Sequence, residues 1–268
     1  MKTLLAVGCS FTNPNYTSRE HSEMDCSWPK WPEIVGKELG YEVVNLGKDG
    51  SSNDNIMRSA QDYMAEHKVD MVCALWTEPF RLNIHDVYHS NWYTSLKVDN
   101  GEYAGHKTSW LGWDIINTKN IAQILMHDYN HPRIANEQLR YIYTLDMIGK
   151  FHNVPVYHMH GCSLWKREIY RVFSEVLGDN LTEKQIHSKF KIWLHSYITS
   201  PYFSILDKQT NIWGWPFYRE LGGELPLRDH MILEFDNRIS EKDGHPNAKG
   251  QQLMANKYLE LIEQNATN

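Results

Sequence analysis

Short continuous runs of apolar residues predict the strands of this protein. The runs are Thr3–Val7, Tyr41–Leu46, Val69–Trp76 and Val154–Met159, and Met231–Phe235 is a candidate fifth. All of them are rich in aliphatic or β-branched side chains, which favour strands. The run Val69–Trp76 is apolar enough to be buried on both faces, as is typical of a strand inside a parallel sheet.

Apolar stripes with helical spacing separate these runs. Trp31, Val35 and Leu39 lie on one helical face, and Gly40 follows at a position where helices commonly end. Because strands that alternate with helices pair in parallel through right-handed crossovers, the sequence predicts an α/β doubly wound sheet. The other predicted helices are Ile56–His67, Ala135–Ile148, 166–177, 183–198 and Met254–Ile262.

Two stretches, 82–118 and 162–230, interrupt this alternation. Both are rich in aromatic residues and poor in Gly/Ser runs, so we interpret them as insertions over one edge of the sheet rather than as linkers. Their aromatic side chains either pack the insertions onto the core or face a cleft, where flat rings with polar neighbours suit sugar rings. These aromatic residues are Trp92, Tyr93, Tyr103, Trp110, Trp113, Trp193, Tyr197, Tyr202, Phe203, Trp213, Trp215, Phe217 and Tyr218.

Composition and charge narrow the class of protein. The 268 residues are 41% hydrophobic and carry a formal net charge of −6, from 27 basic and 33 acidic residues. This mild acidity argues against nucleic acid or an anionic membrane as partner, and no apolar run approaches the roughly 20 residues that span a bilayer. Only eight residues precede Cys9, too few for a lipoprotein signal, and the four cysteines are widely spaced. We therefore expect a cytoplasmic protein with reduced thiols.

Three polar turns carry the candidate chemistry. Ser10 follows the first strand, Gly50 lies in a turn after the second, and Asp243 and His245 precede the last helix. Ligands of open α/β sheets bind at the carboxyl ends of the strands. Taken singly, each turn also has a purely structural explanation. Ser10 caps its turn, Gly50 belongs to an ordinary turn, and His245 is an incidental residue of the turn that caps the last helix.

In combination and in this order, the turns G-C-S, N-x-x-x-x-G and D-x-H-P resemble the SGNH, or GDSL-like, hydrolase family. The G-C-S-F-T variant is most similar to divergent members from phage and bacterial genomes. The resemblance implies one domain over residues 1–268, with a flavodoxin-like three-layer α/β/α fold and a mainly parallel sheet of about five strands. The insertions at 82–118 and 162–230, which it does not cover, would form a cap over the active-site cleft.

The resemblance also implies roles for individual residues. Ser10 becomes the nucleophile, His245 the general base and Asp243 the residue that orients His245. The backbone N–H groups of Ser10 and Gly50 become two donors of the oxyanion hole. No metal or organic cofactor is implied, and the sequence has no HExxH motif among its 14 histidines.

The sequence departs from the family pattern in two places. The family usually has D-x-x-H, whereas Asp243 stands only two residues before His245. Three groups are therefore candidates for orienting the His245 ring: Asp243, a backbone carbonyl and Asp236. The family also places an Asn donor after the third strand. Thr77 occupies that position here, and either its hydroxyl, Arg81 or a residue of the insertions supplies the third oxyanion contact. Candidate substrate contacts are Asn53, Glu78 and Arg81.

The function predicted from these residues is a serine esterase that works through an acyl-enzyme. Its expected substrate is a small-molecule or carbohydrate ester carrying acetyl or another small acyl group, since a lipase lid would expose more aliphatic residues. Two alternatives stay open: an acyltransferase with the same residues, and a binding protein that retains the fold without turnover. The distance between Ser10 and His245 discriminates the enzyme from the binding protein. The sequence makes no prediction of the oligomeric state.

Overall fold

Strands and helices alternate over Lys2–Trp76, the first part of the chain. The computed structural model describes residues 1–79, 84–86, 91–99, 102–107, 131–162, 182–224, 226–229 and 235–266. In chain order the elements are β1 (Lys2–Val7), α1 (Trp31–Leu39), β2 (Tyr41–Asn45), α2 (Asn53–Glu66), β3 (Met71–Trp76), β4 (Ile84–Asp86), β5 (Asn91–Asp99), β6 (Glu102–Lys107), α3 (His131–His152), β7 (Val156–His160), α4 (Glu183–Ile198), α5 (Phe203–Leu206) and α6 (Ala248–Ala266). Two short 3₁₀ helices span Arg219–Leu221 and Phe235–Asn237.

The central sheet has the strand order β2-β1-β3-β7, and all three pairings are parallel. A chain that runs from the first strand to one neighbour and then crosses to the other side is the flavodoxin-like order. The predicted α/β fold with a mainly parallel sheet is therefore confirmed, with four described strands where about five were expected.

Helices cover both faces of this sheet. Successive strand residues point to opposite faces, so Leu5 and Val7 of β1 join a buried cluster with α2 and α3. Leu4 and Ala6 join a second buried cluster with α1 and α6. These two clusters are the cores of a three-layer α/β/α arrangement.

The ends of the helices follow the expected local chemistry. Gly40 adopts φ 69° directly after α1, which is the left-handed conformation that glycine accepts at helix ends. Ser52 caps α2 by accepting a hydrogen bond from Asn55 N. Thr182 and Gln185 form a reciprocal capping box at the start of α4, so the predicted helix 183–198 is found with the same bounds.

Parts of the predicted insertions differ from expectation. Strands β4, β5 and β6 form a separate antiparallel sheet within residues 82–118, a region whose weak periodicity predicted no strands. Residues 231–234 of the candidate fifth strand and the predicted helix 166–177 lie outside the described residues, and Phe235 begins a 3₁₀ helix. The cap formed by the two insertions stays a prediction. No helix in the described ranges is long and apolar enough to cross a membrane.

Candidate active site

The turn after β1 presents Ser10 at the carboxyl end of the sheet. The backbone N–H groups of Thr12 and Asn13 both donate to Cys9 O, at 2.9 and 3.1 Å, and close the chain sharply around Ser10. Gly8 makes this turn possible, because a Cβ there would lie 2.1 Å from Thr12 Oγ1. Cys9 is fully buried, whereas Ser10 lines a cavity.

The turn after β2 is locked against the first turn. Asn45 Nδ2 donates to Thr12 O at 2.8 Å, while Asn45 Oδ1 accepts the N–H of Gly47 at 3.0 Å. A Cβ on Gly47 would lie 2.6 Å from the carbonyl carbon of Thr12, so the two backbones approach as only glycine allows. Gly50, with φ 70°, then brings the chain to the same cavity as Ser10.

The turn before α6 carries Asp243 and His245. Ser240 N donates to Asp243 O at 3.0 Å, and Asp243 N donates back to Ser240 Oγ at 2.9 Å. Asn247 caps the helix by accepting the N–H of Gly250 at 3.1 Å. His245 is thereby held between a closed turn and the start of the helix, with its ring directed toward the turn that contains Ser10.

Ser10, His245 and Asp243 form a continuous hydrogen-bonded chain. His245 Nε2 lies 2.8 Å from Ser10 Oγ, and His245 Nδ1 lies 2.6 Å from Asp243 Oδ1. An ionised carboxylate only accepts hydrogen bonds, so Asp243 selects the tautomer with the proton on Nδ1. Nε2 is then free to accept the Ser10 proton, which is the arrangement of a nucleophile with its general base. Asp236, the alternative orienting residue, has an 85% exposed side chain and pairs with Lys249.

Asp243 is buried but fully hydrogen-bonded. Its Oδ2 accepts from Tyr16 Oη at 3.0 Å and from Ser18 Oγ at 2.5 Å. Burial by itself raises the pKa of Asp243. The hydrogen bonds from His245 and Ser18 outweigh this effect and hold the pKa well below its usual range, so the carboxylate stays ionised. Burial and the Asp243 charge together raise the pKa of Tyr16, which keeps its proton as a donor.

The backbone N–H groups of Ser10 and Gly50 are the two predicted donors of the oxyanion hole. Within the described part of the chain, no acceptor takes the N–H of Ser10 or that of Gly50. Both residues line the cavity. Preorganised backbone donors of this kind stabilise an oxyanion, because they need no reorganisation during the reaction.

Thr77 and Asn53 serve the scaffold rather than the cavity wall. The Thr77 side chain is fully buried and its hydroxyl donates to Cys162 Sγ at 3.3 Å. Asn53 accepts Thr77 N–H at 2.8 Å and donates to Thr77 O at 3.1 Å, which ties the start of α2 to the end of β3. Neither residue borders the cavity, so this geometry gives no support to the oxyanion role of Thr77 or the substrate contact of Asn53.

The cavity beside Ser10 has a volume of about 310 Å³ and a strongly polar wall. Glu78, a predicted substrate contact, lies on this wall and pairs with Arg228 at 3.4 Å. Arg81 lies outside the described residues. The described residues that line the cavity are Ser10, Phe11, Tyr16, Arg19, Glu20, Asp49, Gly50, Glu78, Cys162, Arg228, Lys242, Asp243, Gly244 and His245.

Sequence reasoning missed the residues that contact the site from outside the three motifs. Tyr16, Ser18 and Arg228 have no periodic pattern around them, and their partners stand 150 or more positions away in the chain. The available signal was the run of polar residues close behind Ser10 in the sequence, which includes Tyr16 and Ser18.

The aromatic residues of the second insertion pack into the core. Trp193 and Tyr197 are fully buried, and Phe217 and Tyr218 are nearly so, all in the cluster under α2 and α3. Trp193 Nε1 donates to Tyr218 Oη at 2.7 Å. None of these four rings lines the cavity, which favours the packing interpretation for them. The side chains of the aromatic residues in 82–118 lie outside the described residues.

Comparisons with known proteins find similarity in structure but not in sequence. No protein-family model and no curated protein matches the chain. The esterase EstA from Pseudoalteromonas sp. matches over 100% of both chains, with 10% identity and a TM-score of 0.47. A lipolytic protein of the G-D-S-L family from Veillonella parvula matches over 98% of this chain and 99% of its own, at 11% identity and TM-score 0.41. A carbohydrate acetylesterase family member from Sinorhizobium meliloti matches over 98% of both, at 12% identity and TM-score 0.43. At such low values these similarities decide neither fold nor activity, which follow here from the topology and the site.

Proposed function

We propose that this protein is an SGNH-type serine acylhydrolase with Ser10 as nucleophile, His245 as general base and Asp243 as the residue that orients His245. The observation that carries the proposal is the 2.8 Å distance between Ser10 Oγ and His245 Nε2. A binding protein without turnover has no need of a serine, a correctly oriented imidazole and an ionised carboxylate in one chain of hydrogen bonds. The distance therefore favours an enzyme.

The geometry supports a two-step reaction. Ser10 Oγ attacks the ester carbonyl carbon while His245 Nε2 takes the hydroxyl proton, and the carbonyl oxygen becomes an oxyanion near the Ser10 and Gly50 N–H groups. When the intermediate collapses, His245 returns the proton to the leaving alcohol and Ser10 keeps the acyl group. Water then attacks this acyl-enzyme with the same base, and the acid product leaves.

The cavity wall favours a small polar ester. A volume of about 310 Å³ lies at the lower end of the range for small-molecule sites. Half of the described lining residues are charged, and the only tyrosine among these described residues, Tyr16, has its ring stacked on His245. Acetyl or another small acyl group on a polar alcohol, a carbohydrate included, matches this lining better than a long aliphatic chain.

The experiment is hydrolysis of p-nitrophenyl acetate by the wild type, by Ser10→Ala and by a matched control, Ser204→Ala, which changes an exposed serine on α5. Loss of the nucleophile should reduce kcat by about 10⁶-fold, with an unchanged unfolding temperature. The control should hydrolyse the ester as the wild type does. Equal turnover by Ser10→Ala and the wild type would rule out the proposal.

Acyl transfer is a second candidate, because the same residues serve any alcohol that replaces water. Product analysis with glycerol or a monosaccharide added to the assay separates the two reactions. Hydrolysis predicts that free acid remains the main product, whereas a transferase predicts that the acylated acceptor dominates.

A further inference from the structure

The buried carboxylate of Asp243 has as many hydrogen-bond donors around it as it has acceptor positions. Oδ1 accepts from the ring Nδ1 of His245 at 2.6 Å and from the backbone N of the same residue at 3.0 Å. Oδ2 accepts from Tyr16 at 3.0 Å and from Ser18 at 2.5 Å. A carboxylate offers about four such positions, so all of them are filled.

This arrangement is connected with the two-residue spacing between Asp243 and His245. The spacing lets Oδ1 bind both the ring and the backbone of His245, which turns Oδ2 toward the loop after the nucleophile. The Asp243 side chain is only 3% exposed, so an unpartnered Oδ2 would carry charge without compensation from water. Tyr16 and Ser18 supply that compensation from the protein.

Both hydroxyl groups are themselves held in place. Ser18 Oγ accepts the backbone N–H of His21 at 3.1 Å, which directs the Ser18 proton toward Asp243. The Tyr16 ring stacks on the His245 ring with centroids 4.3 Å apart, and its Oη lies 2.8 Å from His245 Nδ1. One residue thus contacts the acid and the base together.

We propose that Tyr16 and Ser18 are positioning residues that fix Asp243, and through it His245, in the orientation needed for proton transfer from Ser10. The proposal rests on the proposed function, in which His245 is the base. Neither residue takes part in the bond changes. Their role is to donate hydrogen bonds to Oδ2 of Asp243, the carboxylate oxygen that His245 does not contact.

The first test does not need turnover. Histidine NMR of the full protein follows the titration of His245, assigned by its loss in His245→Gln, in the wild type and in Ser18→Ala. Removing a donor from Oδ2 makes Oδ1 a stronger acceptor for the Nδ1–H of His245, so the titration curve of His245 should move to higher pH in Ser18→Ala. Asp243 and Tyr16 face the His245 ring directly. The other charged groups around the cavity, unchanged by the substitution, are Arg19, Glu20, Asp49, Glu78, Arg228 and Lys242.

The second test uses kinetics. Tyr16→Phe retains the stacked ring but removes the hydroxyl, and should lower kcat by about tenfold to a hundredfold with little change in KM. The matched control is Tyr63→Phe on α2, a tyrosine stacked on His67 that does not line the cavity. In an Asp243→Asn background, Tyr16→Phe should cost much less than in the wild type, because its effect passes through that carboxylate.

These outcomes separate the two proposals. An unchanged His245 titration in a folded Ser18→Ala protein overturns the positioning role, whether or not the wild type hydrolyses esters. A Tyr16→Phe loss that is equal in both backgrounds also overturns it, since the hydroxyl would then act independently of Asp243. If the wild type hydrolyses no ester but the His245 titration still shifts in Ser18→Ala, the result counts against the hydrolase and supports the positioning of His245.

Discussion

At the scale of single residues, this site differs from the SGNH sequence pattern at the end of β3. Thr77 stands where the family usually has an Asn donor, but its hydroxyl donates to Cys162 Sγ and its side chain has no exposed surface. A hydroxyl has one proton to donate, and in Thr77 this proton is donated to Cys162 Sγ and not into the cavity. We therefore expect the stabilisation of an oxyanion to come from the backbone N–H groups of Ser10 and Gly50.

This view predicts a mild result for Thr77→Val, which removes the hydroxyl and keeps the branched shape. Stability should fall by about 0.5–1.5 kcal/mol, the usual net value of one hydrogen bond. The kcat should change little, because loss of a true oxyanion donor costs about a hundredfold or more. Urea unfolding and steady-state kinetics measure both. A hundredfold lower kcat in the folded variant would return Thr77 to the oxyanion hole.

The residues found from the sequence share one property: each lies in a short motif next to a predicted element. Ser10, Gly50 and His245 are of this kind, as is Asp243. Tyr16 and Ser18 are not, because their role depends on contacts with a residue more than 200 positions away. A sequence pattern records local periodicity and spacing, whereas such contacts arise only when the chain folds.

At the scale of elements, Gly47 and Gly40 show two different reasons for a glycine between elements. Gly47 packs directly on the backbone of Thr12 and Asn13 in the nucleophile turn. Gly40 ends α1 with φ 69°, and a Cβ added there would meet no atom within 4 Å. The first glycine is required by contact, and the second only by conformation.

Substitution by alanine should therefore affect the two positions differently. Gly47→Ala should displace the nucleophile turn, with a loss of stability of about 1–3 kcal/mol and a reduced kcat. Gly40→Ala should cost about 1–2 kcal/mol through its left-handed conformation, with kcat unchanged. Thermal unfolding and ester hydrolysis of both variants provide the comparison. Wild-type kcat in Gly47→Ala would show that Ser10 does not depend on the β2 turn.

The elements themselves were predictable wherever hydrophobic periodicity was strong. The fully buried β3 and the stripe of α1 with Gly40 behind it are examples. Strands β4, β5 and β6 were not predicted, although Ser95–Asp99 alternates polar and apolar residues and the Asn100-Gly101 pair that follows is a hairpin signal. The polar and aromatic composition of the whole stretch outweighed this short local pattern in the prediction.

At the scale of the whole molecule, two buried histidines of β7 predict a fold that loses stability in acid. His158 accepts a hydrogen bond from Trp76 Nε1 at 3.2 Å, and His160 lies within 2.8 Å of Gln138 Nε2. Burial lowers the pKa of both imidazoles to about 4, so both are neutral in the folded protein.

Stability should consequently fall as the pH decreases from about 6.5 toward 4. In that window the unfolded chain binds protons at these histidines and the folded protein does not, so each contributes up to about 1.4 kcal/mol per pH unit. Urea unfolding at several pH values measures the slope. The slope should decrease by about half in His160→Gln and stay unchanged in His195→Gln, an exposed control. Equal stability at pH 4.5 and 6.5 would contradict the neutral, buried state of the pair.

The central claim, that His245 activates Ser10 as a nucleophile, is tested most directly by labelling with a fluorophosphonate followed by peptide mapping. The account predicts one phosphonyl group on Ser10 in the wild type, no label in Ser10→Ala, and much slower labelling in His245→Ala. Cys9, whose buried side chain lies next to Cys162 Sγ, should remain unmodified. A wild-type protein that is folded yet unlabelled at Ser10, or that is labelled equally fast without His245, would contradict the account.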